Sequence, residues 1–500
     1  MAEPDGVTTG AAEHQLHRRL TGRQLTMIGL GGAIGTGLFL GSALAISQAG
    51  PATIIAFVVV ALVALVIAWA LAEMVTVHPT AGAFGTIAHS YLGRWAGFVT
   101  RWTYWTIQVI AVGGEVIAAG IYVQYWWPTV PLWLAVVVFS VALIVVNAAT
   151  VRFFGEFEYW LSMIKVSAIV VFILLGILLI TVGLPGAPAT GVDNLTSDGG
   201  FFPMGLSGVF LAMVFVVFSF IGTEVVSVTA AEAENPTRDV PRAARQMVVR
   251  LAIFYVLAIA VVLTIAPWSQ TAQGGSLDAS PFVRVLDAAQ VPGGASLMNF
   301  VILTAALSSA NTNLYLTTRM LHSLAGHGYA PAALGKVSRS GAPRNALVLS
   351  TAGLAIAAAL SVNQGADAYL ALFGISVFGA LVVWMMILAS HARFRLLRRQ
   401  HGLPDSPARM WGAPVTTGLA FLFLGAVLVS TAFIDGLQIA WKVGIPFFVL
   451  LVIAYFVTAS RRGDSTSNDP LRDEIALSGR GASRGGAEEP EAAAGRPDDA

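Results

Sequence analysis

Lys165 is a lone cation inside an otherwise apolar run, Tyr159 to Thr181, that is long enough to span a bilayer. A charge at that depth is expensive, which makes it a candidate functional group. An amine held away from water can take up and release a proton near neutral pH, the chemistry a proton-coupled transporter needs. The competing account is an amine that snorkels to the nearer interface. Two carboxylates lie comparably deep. Glu115 stands about 18 residues into the third apolar run, too far at 1.5 Å per residue for a comfortable solvent-facing position. It reads either as a protonated structural group bonded to a neighbouring helix or as a cavity-lining group that meets an amine. Glu224 follows a Gly-Thr pair and reads either as a binding group or as a cap on free backbone amides.

Glycines surround these candidates. The first apolar run contains Gly31-Gly32-Ala33-Ile34-Gly35-Thr36-Gly37, four glycines in seven residues. Such a cluster serves close helix packing. It also favours an interruption of the helix, and unwound backbone at membrane depth is tolerated only where it lines protein or a water-filled cavity. The sixth run carries Phe218-Ser219-Phe220-Ile221-Gly222-Thr223-Glu224, so the triplet Ile-Gly-Thr occurs at 34–36 and again at 221–223. Interrupted helices at corresponding positions of two halves point to a transporter's substrate site. Their exposed amides attract a carboxylate and their free carbonyls an ammonium, and an amino acid has both ends.

The elements that position these residues follow from composition. Of 500 residues 56% are hydrophobic and 11% charged, against roughly 25% charged in soluble domains, so this is a polytopic all-α membrane protein. Twelve apolar runs approach spanning length: about 25–47, 51–77, 96–126, 131–149, 159–182, 204–230, 247–267, 294–321, 345–362, 368–391, 414–434 and 439–459. An even number puts both termini on one side. With the N-terminus in the cytoplasm, 25 of the 28 Lys and Arg fall on inner segments, leaving Arg284 and Lys442 outside and Lys165 in the membrane. The positive-inside rule therefore assigns both termini to the cytoplasm. Trp126, Trp127, Trp133, Trp268 and Trp441 fall near the outer boundary, where an aromatic belt belongs. Runs one and six begin two five-helix units of opposite direction, about 25–182 and 204–391, as an inverted repeat requires. Runs eleven and twelve, about 414–459, follow.

Residues 1–20 form a polar tail without a cleavable signal peptide, and residues 463–500 are rich in small and charged residues and read as disordered. The folded unit is therefore 21–462. The absence of cysteine removes disulfides, thiolate metal sites and cysteine catalysis together. A net charge of +1 argues against nucleic-acid binding. His78, His89, His322, His327 and His391 carry no HExxH or paired-carboxylate spacing, so no metal or other cofactor is expected. An intramembrane enzyme would need a nucleophile and base together at depth, and no run supplies that pair, so the chain reads as a non-enzyme.

The stretches Gly29 to Pro51 (GLGGAIGTGLFLGSALAISQAGP), Gly155 to Val166 (GEFEYWLSMIKV), Phe218 to Ala243 (FSFIGTEVVSVTAAEAENPTRDVPRA) and Thr304 to Leu321 resemble bacterial amino acid permeases. That family is the amino acid transporter branch of the amino acid, polyamine and organocation (APC) superfamily, and the likeness covers about 15–460. The resemblance implies the leucine-transporter fold, with ten helices in two inverted repeats, broken helices 1 and 6, and two peripheral helices. It implies import of an amino acid with protons across the bacterial cytoplasmic membrane, driven by the proton gradient. Gly35, Thr36 and Gly37 match the substrate-carboxylate site, and Phe218 the aromatic that covers the substrate. Ile221, Gly222 and Glu224 match the unwound stretch of helix six, and Glu115 an acidic position of the third helix. Lys165 matches a fifth-helix lysine that in related proteins stands where sodium-coupled relatives bind sodium, which favours protons over sodium. Ser308 and Ser309 are expected to face it.

Glu73, Glu232 and Glu234 read with Arg238, Arg242 and Arg245 as a solvated charge cluster, or as an inner gate of ion pairs. An exchanger and a non-transporting amino acid sensor share the same site residues. Lys165 favours proton symport over exchange. Glu115 and Glu224 disfavour an anionic substrate, leaving a neutral zwitterion as the expected cargo. Membrane lipids are the other expected partner, and the sequence carries no signal for oligomeric state.

Overall fold

The computed structural model describes residues 22–79, 83–148, 151–184, 187–228, 235–272, 280–338, 343–363, 366–459, 469–472 and 474–476. Glu232 and Glu234, the tail 1–20 and most of 463–500 lie outside the described residues.

The described residues fold as helices, with one two-residue antiparallel pair among them, Gly183–Leu184 with Ala187–Pro188, at a loop. The first apolar run is cut in three. Helix α1 (Gly22–Ala33) stops at Ile34-Gly35, a single turn α2 (Thr36–Phe39) follows, and α3 (Gly41–Ala49) completes it. Gly50-Pro51 turns the chain into α4 (Thr53–Val77), a short α5 (Ala83–Leu92) and the long α6 (Arg94–Gln124). Next come α7 (Leu132–Ala148), α8 (Val151–Thr181), the second interrupted pair α9 (Gly205–Phe220) and α10 (Val225–Val228), and α11 (Pro236–Ile265). The small helices α12 (Trp268–Ala272) and α13 (Pro281–Ala288) precede α14 (Gly294–Gly326). Helices α15 (Arg344–Ser350), α16 (Ala352–Asn363), α17 (Ala366–Gln400), α18 (Val415–Ser430) and α19 (Ile439–Ala459) complete the chain.

Among the described residues, nine helical segments combine the length and apolar composition needed to cross a membrane. The other three expected runs fall on α1–α2, which is interrupted, on α7, with 17 residues, and on α14, which is long but polar along its middle. Helix α6 is the central post. Its most apolar window is 83% buried, packed among α5, α7, α14, α16 and α17, whereas that of α19 is 17% buried and peripheral.

Several elements run past their expected ends because apolar periodicity marks only the part of a helix that crosses lipid. Helix α11 starts at Pro236, a residue suited to the first helical position, so Arg238, Arg242 and Arg245 stand on helix. Helix α17 continues to Gln400 and carries Arg393, Arg395, Arg398 and Arg399. Helix α8 begins at Val151, which puts Lys165 fourteen residues from its start and sixteen from its end. Glu73 pairs with His391 and Arg395 of α17 and accepts from the Met410 amide, rather than joining the arginines of α11.

Within the stretch expected to be disordered, residues 469–472 and 474–476 are docked at this same basic end. Leu471 is buried, Ile475 packs against the core, and Glu474 pairs with Arg398 and approaches His78 at 3.6 Å. Two apolar side chains and an ion pair hold this short piece of a polar tail.

Candidate functional site

The two interrupted helices meet at their breaks. Gly222 has φ +103°, a conformation that only glycine adopts freely, and a Cβ there would lie 3.0 Å from the Gly32 carbonyl group. The backbones touch because neither carries a side chain at the crossing. Gly37 makes a second close approach, since a Cβ there would lie 2.8 Å from the Phe218 ring and 2.9 Å from Ser219 Cα.

Helix α1 exposes its last carbonyls at the break, and side chains from three other helices satisfy them. Lys165 of α8 is fully buried and donates to Gly31 O at 2.6 Å and Ile34 O at 3.0 Å. Ser309 of α14 donates to Gly32 O at 3.3 Å, and Tyr255 of α11 to Ala33 O at 2.9 Å. Lys165 therefore does not snorkel. Its ammonium takes the place of the amides that a continuous helix would present to these carbonyls.

The amide side of the break is held by Glu115. Its carboxylate accepts from Thr36 N at 3.3 and 3.2 Å and from Ser309 Oγ at 3.0 Å. An anion at the first amide of α2 is the arrangement favoured by unsatisfied N–H groups and the local dipole. Glu115 thus lies where the resemblance puts the carboxylate of a substrate.

At the second break, Glu224 folds back onto its own turn. Both carboxylate oxygens accept from Gly222 N, at 3.2 and 3.1 Å, while Tyr104 OH donates at 3.2 Å and Trp384 Nε1 at 3.3 Å. The Phe220 and Gly222 carbonyls accept from Thr223 N and Val225 N within that turn.

A cavity of about 20 Å³ opens between the breaks, room for roughly one water molecule. Of the residues singled out in the sequence, Gly35, Gly37, Glu115, Phe218, Ile221 and Ser309 line it. Thr36 is attached through its amide to Glu115. Gly222, Glu224 and Lys165 stand behind the lining, against backbone. Phe218 packs on Phe373 with ring centres 4.2 Å apart. The hydroxyl of Ser376 is buried without a protein hydrogen-bond partner and lines the cavity. Buried polar atoms are normally paired, so it is available to a polar ligand.

Ser308 and Ser309, expected to face Lys165, take other hydrogen-bond partners. Ser309 serves Glu115 and Gly32, and Ser308 donates to Glu158. Glu158 is the residue that sequence reasoning missed. It is fully buried, accepts from Ser162 at 3.3 Å and Asn311 at 3.1 Å, and lies two turns before Lys165 on the same face of α8. A Cβ at Gly31 would collide with its carboxylate, so α1 passes directly over it. The seven-residue spacing from Lys165 was the available signal. A run taken to begin at residue 159 hid it by leaving Glu158 outside. Gln108 and Asn313 also line the cavity and carried no motif.

No group of three or more His, Cys, Asp or Glu side chains that could hold a metal ion occurs among the described residues. The arrangement is one of backbone ends, carboxylates and an ammonium around a small cavity inside a helical bundle.

The chain matches the amino acid permease family profile over residues 24–467. It is 38% identical to the γ-aminobutyric acid permease of Bacillus subtilis over 89% of this chain and 94% of that protein. It is 38% identical to the aromatic amino acid transport protein AroP of Escherichia coli K12 over 88% and 95%. A probable threonine/serine transporter of B. subtilis, YbxG, is 37% identical over 89% and 96%. With its apolar helices and a likeness that runs nearly end to end, the chain belongs to the amino acid permease family of multi-pass membrane proteins.

Proposed function

We propose that this protein imports a neutral, zwitterionic amino acid across the bacterial cytoplasmic membrane by proton symport, with the cavity between the helix breaks opening alternately to each side. The observation that carries the reading is Lys165, buried and bound to Gly31 O and Ile34 O. A proton on that amine holds the end of α1. Its loss removes the charge that strengthens both hydrogen bonds and loosens the hold on the helix end, so protonation and helix position are linked. The twelve-span, five-plus-five inverted-repeat architecture supplies the rocking units, and the arginine-rich end, with both termini, faces the cytoplasm.

Glu115 supplies the link to substrate. It occupies the Thr36 amide, so an arriving substrate carboxylate meets a like charge. Two carboxylates about 4 Å apart repel by about 4 kcal/mol at an effective dielectric constant of 20. The substrate enters when Glu115 swings away or takes up a proton, and its carboxylate then lies on the amides at Gly35 to Gly37. The ammonium finds carbonyls of the second break, and Phe218 covers the site. The relatives' named cargoes include γ-aminobutyric acid, aromatic amino acids, threonine and serine. They agree in having one amine and one carboxylate, which favours recognition of those ends.

The test is uptake of a panel of labelled amino acids by proteoliposomes under an imposed pH gradient. A transported zwitterion should accumulate with an inward proton gradient, sodium should not substitute, and its methyl ester should compete poorly. Equal uptake without any proton gradient, with release only against external amino acid, would identify an exchanger.

A further inference from the structure

A second cavity, about 800 Å³, lies apart from the one between the breaks. It opens at the basic end between α4, α11 and the loop after α17, and five arginines line it: Arg238, Arg242, Arg245, Arg250 and Arg409. The first three stand at i, i+4 and i+7 on α11, one face of the helix. Arg409 carries an ion pair with Asp405 at 2.7 Å, both well exposed. The four arginines of α11 form no ion pair among the described residues, and no acidic side chain there lines the cavity. Elsewhere at this end the arrangement differs, since Arg395 and Arg398 are matched by Glu73 and Glu474.

The floor of the cavity is apolar, formed by Leu65 and Trp69 of α4 with Val249 of α11. It continues away from the arginines as two exposed tracks. Val249, Ile253 and Leu257 follow the arginine face along α11 at four-residue steps, and Leu62 and Val58 extend the α4 wall. Trp69 lies eight residues from the end of α4, about 12 Å along the axis. A concave cluster of cations that runs into paired apolar grooves along membrane-spanning helices fits a head group with its acyl chains, and basic pockets between transmembrane helices bind such head groups.

We propose that this cavity is a binding site for an anionic phospholipid, with the phosphate against Arg238, Arg242 and Arg245 and the chains along the α4 and α11 tracks. A soluble anion would use the arginines alone. The grooves commit the site to lipid.

Purified full-length protein in neutral detergent tests this by native mass spectrometry and thermal shift, with phosphatidylglycerol, cardiolipin, phosphatidylethanolamine and inorganic phosphate as separate additions. The two anionic lipids should stay bound and raise the unfolding midpoint, and phosphatidylethanolamine and phosphate should do neither. Arg242→Gln with Arg245→Gln should weaken phosphatidylglycerol binding about 30-fold, which is about 2 kcal/mol at 1.4 kcal/mol per decade, or about 1 kcal/mol per arginine. The charge-keeping pair Arg242→Lys with Arg245→Lys should stay within a few-fold of wild type. Should the glutamine pair not fold, Arg409→Gln on the exposed loop should still cost about 5-fold. Equal retention of phosphatidylethanolamine, an equal shift by phosphate alone, or wild-type affinity in the folded glutamine variants would each overturn the proposal.

Discussion

The two helix breaks touch at Gly32 and Gly222, yet they are held by different means. The first depends on distant helices. Its carbonyls take donors from Lys165 on α8, Ser309 on α14 and Tyr255 on α11, and its amide takes Glu115 from α6. The second is closed mainly by a residue of its own turn, Glu224, two positions after the amide it caps. A break tied to other helices by an ammonium and a carboxylate changes shape when either changes protonation or partner. A break tied to itself keeps its shape while the helices around it move. The first is therefore suited to be the switched element, and the second the fixed surface against which it moves.

Lys165→Ala should break this contrast most strongly. At about 2.3 kcal/mol per charge for 100 mV, coupling to one proton supports roughly 50-fold accumulation. In Lys165→Ala proteoliposomes, gradient-driven accumulation should fall to near unity while counterflow of labelled against unlabelled substrate persists. Undiminished accumulation would remove Lys165 from the coupling. The variant also leaves Gly31 O and Ile34 O without their donor, at a cost of about 1–3 kcal/mol for each buried group, so its thermal midpoint should fall as well.

Glu115→Gln tests the other tie. The amide oxygen can still accept from Thr36 N, but the charge is gone, so substrate no longer competes with an anion for that amide. Apparent affinity should vary less steeply with pH between about 5 and 8 than in wild type, the Lys165 step remaining, and net accumulation should fall about 10-fold, or about 1.4 kcal/mol. Substrate affinity measured across that range by tryptophan fluorescence decides it, and an unaltered pH profile would leave Glu115 a structural cap.

Gly37, by contrast, gives a poor test of carboxylate binding. Valine there must collide with Ser219 Cα and Phe218 whether or not the amides bind substrate. Packing alone accounts for that glycine.

What the sequence made legible was depth. Lys165, Glu115 and Glu224 could each be found because an ionisable residue within an apolar run is rare and costly, and the repeated Ile-Gly-Thr triplet located both interruptions. Direction was not legible. Nothing in the spacing indicates that Glu115 points at Thr36 N, because helix rotation is set by packing against α14 and α17, and for Glu224 the cap on its own break was one of two readings that spacing alone did not separate. Glu158 and the arginine face of α11 were hidden for another reason. Both lie on helix that continues beyond the apolar run, where hydropathy falls but backbone hydrogen bonding does not. The docked residues 469–472 and 474–476 were missed because two apolar side chains in a polar tail give no periodicity.

Glu224→Gln should have a smaller effect than either change at the first break. With its oxygen in the Oε2 place it can still accept from Gly222 N and Trp384 Nε1, and its NH2 group can donate to the Tyr104 hydroxyl. Loss of charge assistance costs about 1 kcal/mol. Accumulation at saturating substrate should stay within about 5-fold of wild type, with a lower thermal midpoint. A loss as deep as that of Lys165→Ala would make the second break a switched element too and end the contrast.

The smallest effect separates the first break from a different source of pH dependence. His78, at the basic end beyond α4, is 4% exposed and touches Tyr91 OH at 2.7 Å. Burial pushes its imidazole down to about 4, a shift that nearby Glu474 opposes and Arg398 reinforces. The unfolded chain binds this proton near pH 6.5 and the folded chain only near 4. Between those values the unfolded state holds more protons, so stability falls as pH drops from about 6.5 to about 4 and is level on either side. The loss totals about 3 kcal/mol. His78→Gln should remove that slope from thermal midpoints measured in detergent, while Lys165→Ala should keep it. Parallel midpoint curves for wild type and His78→Gln would show that His78 does not set it. A wild-type transport profile that turns down below pH 6.5 should turn down less in His78→Gln, and what remains reports the first break.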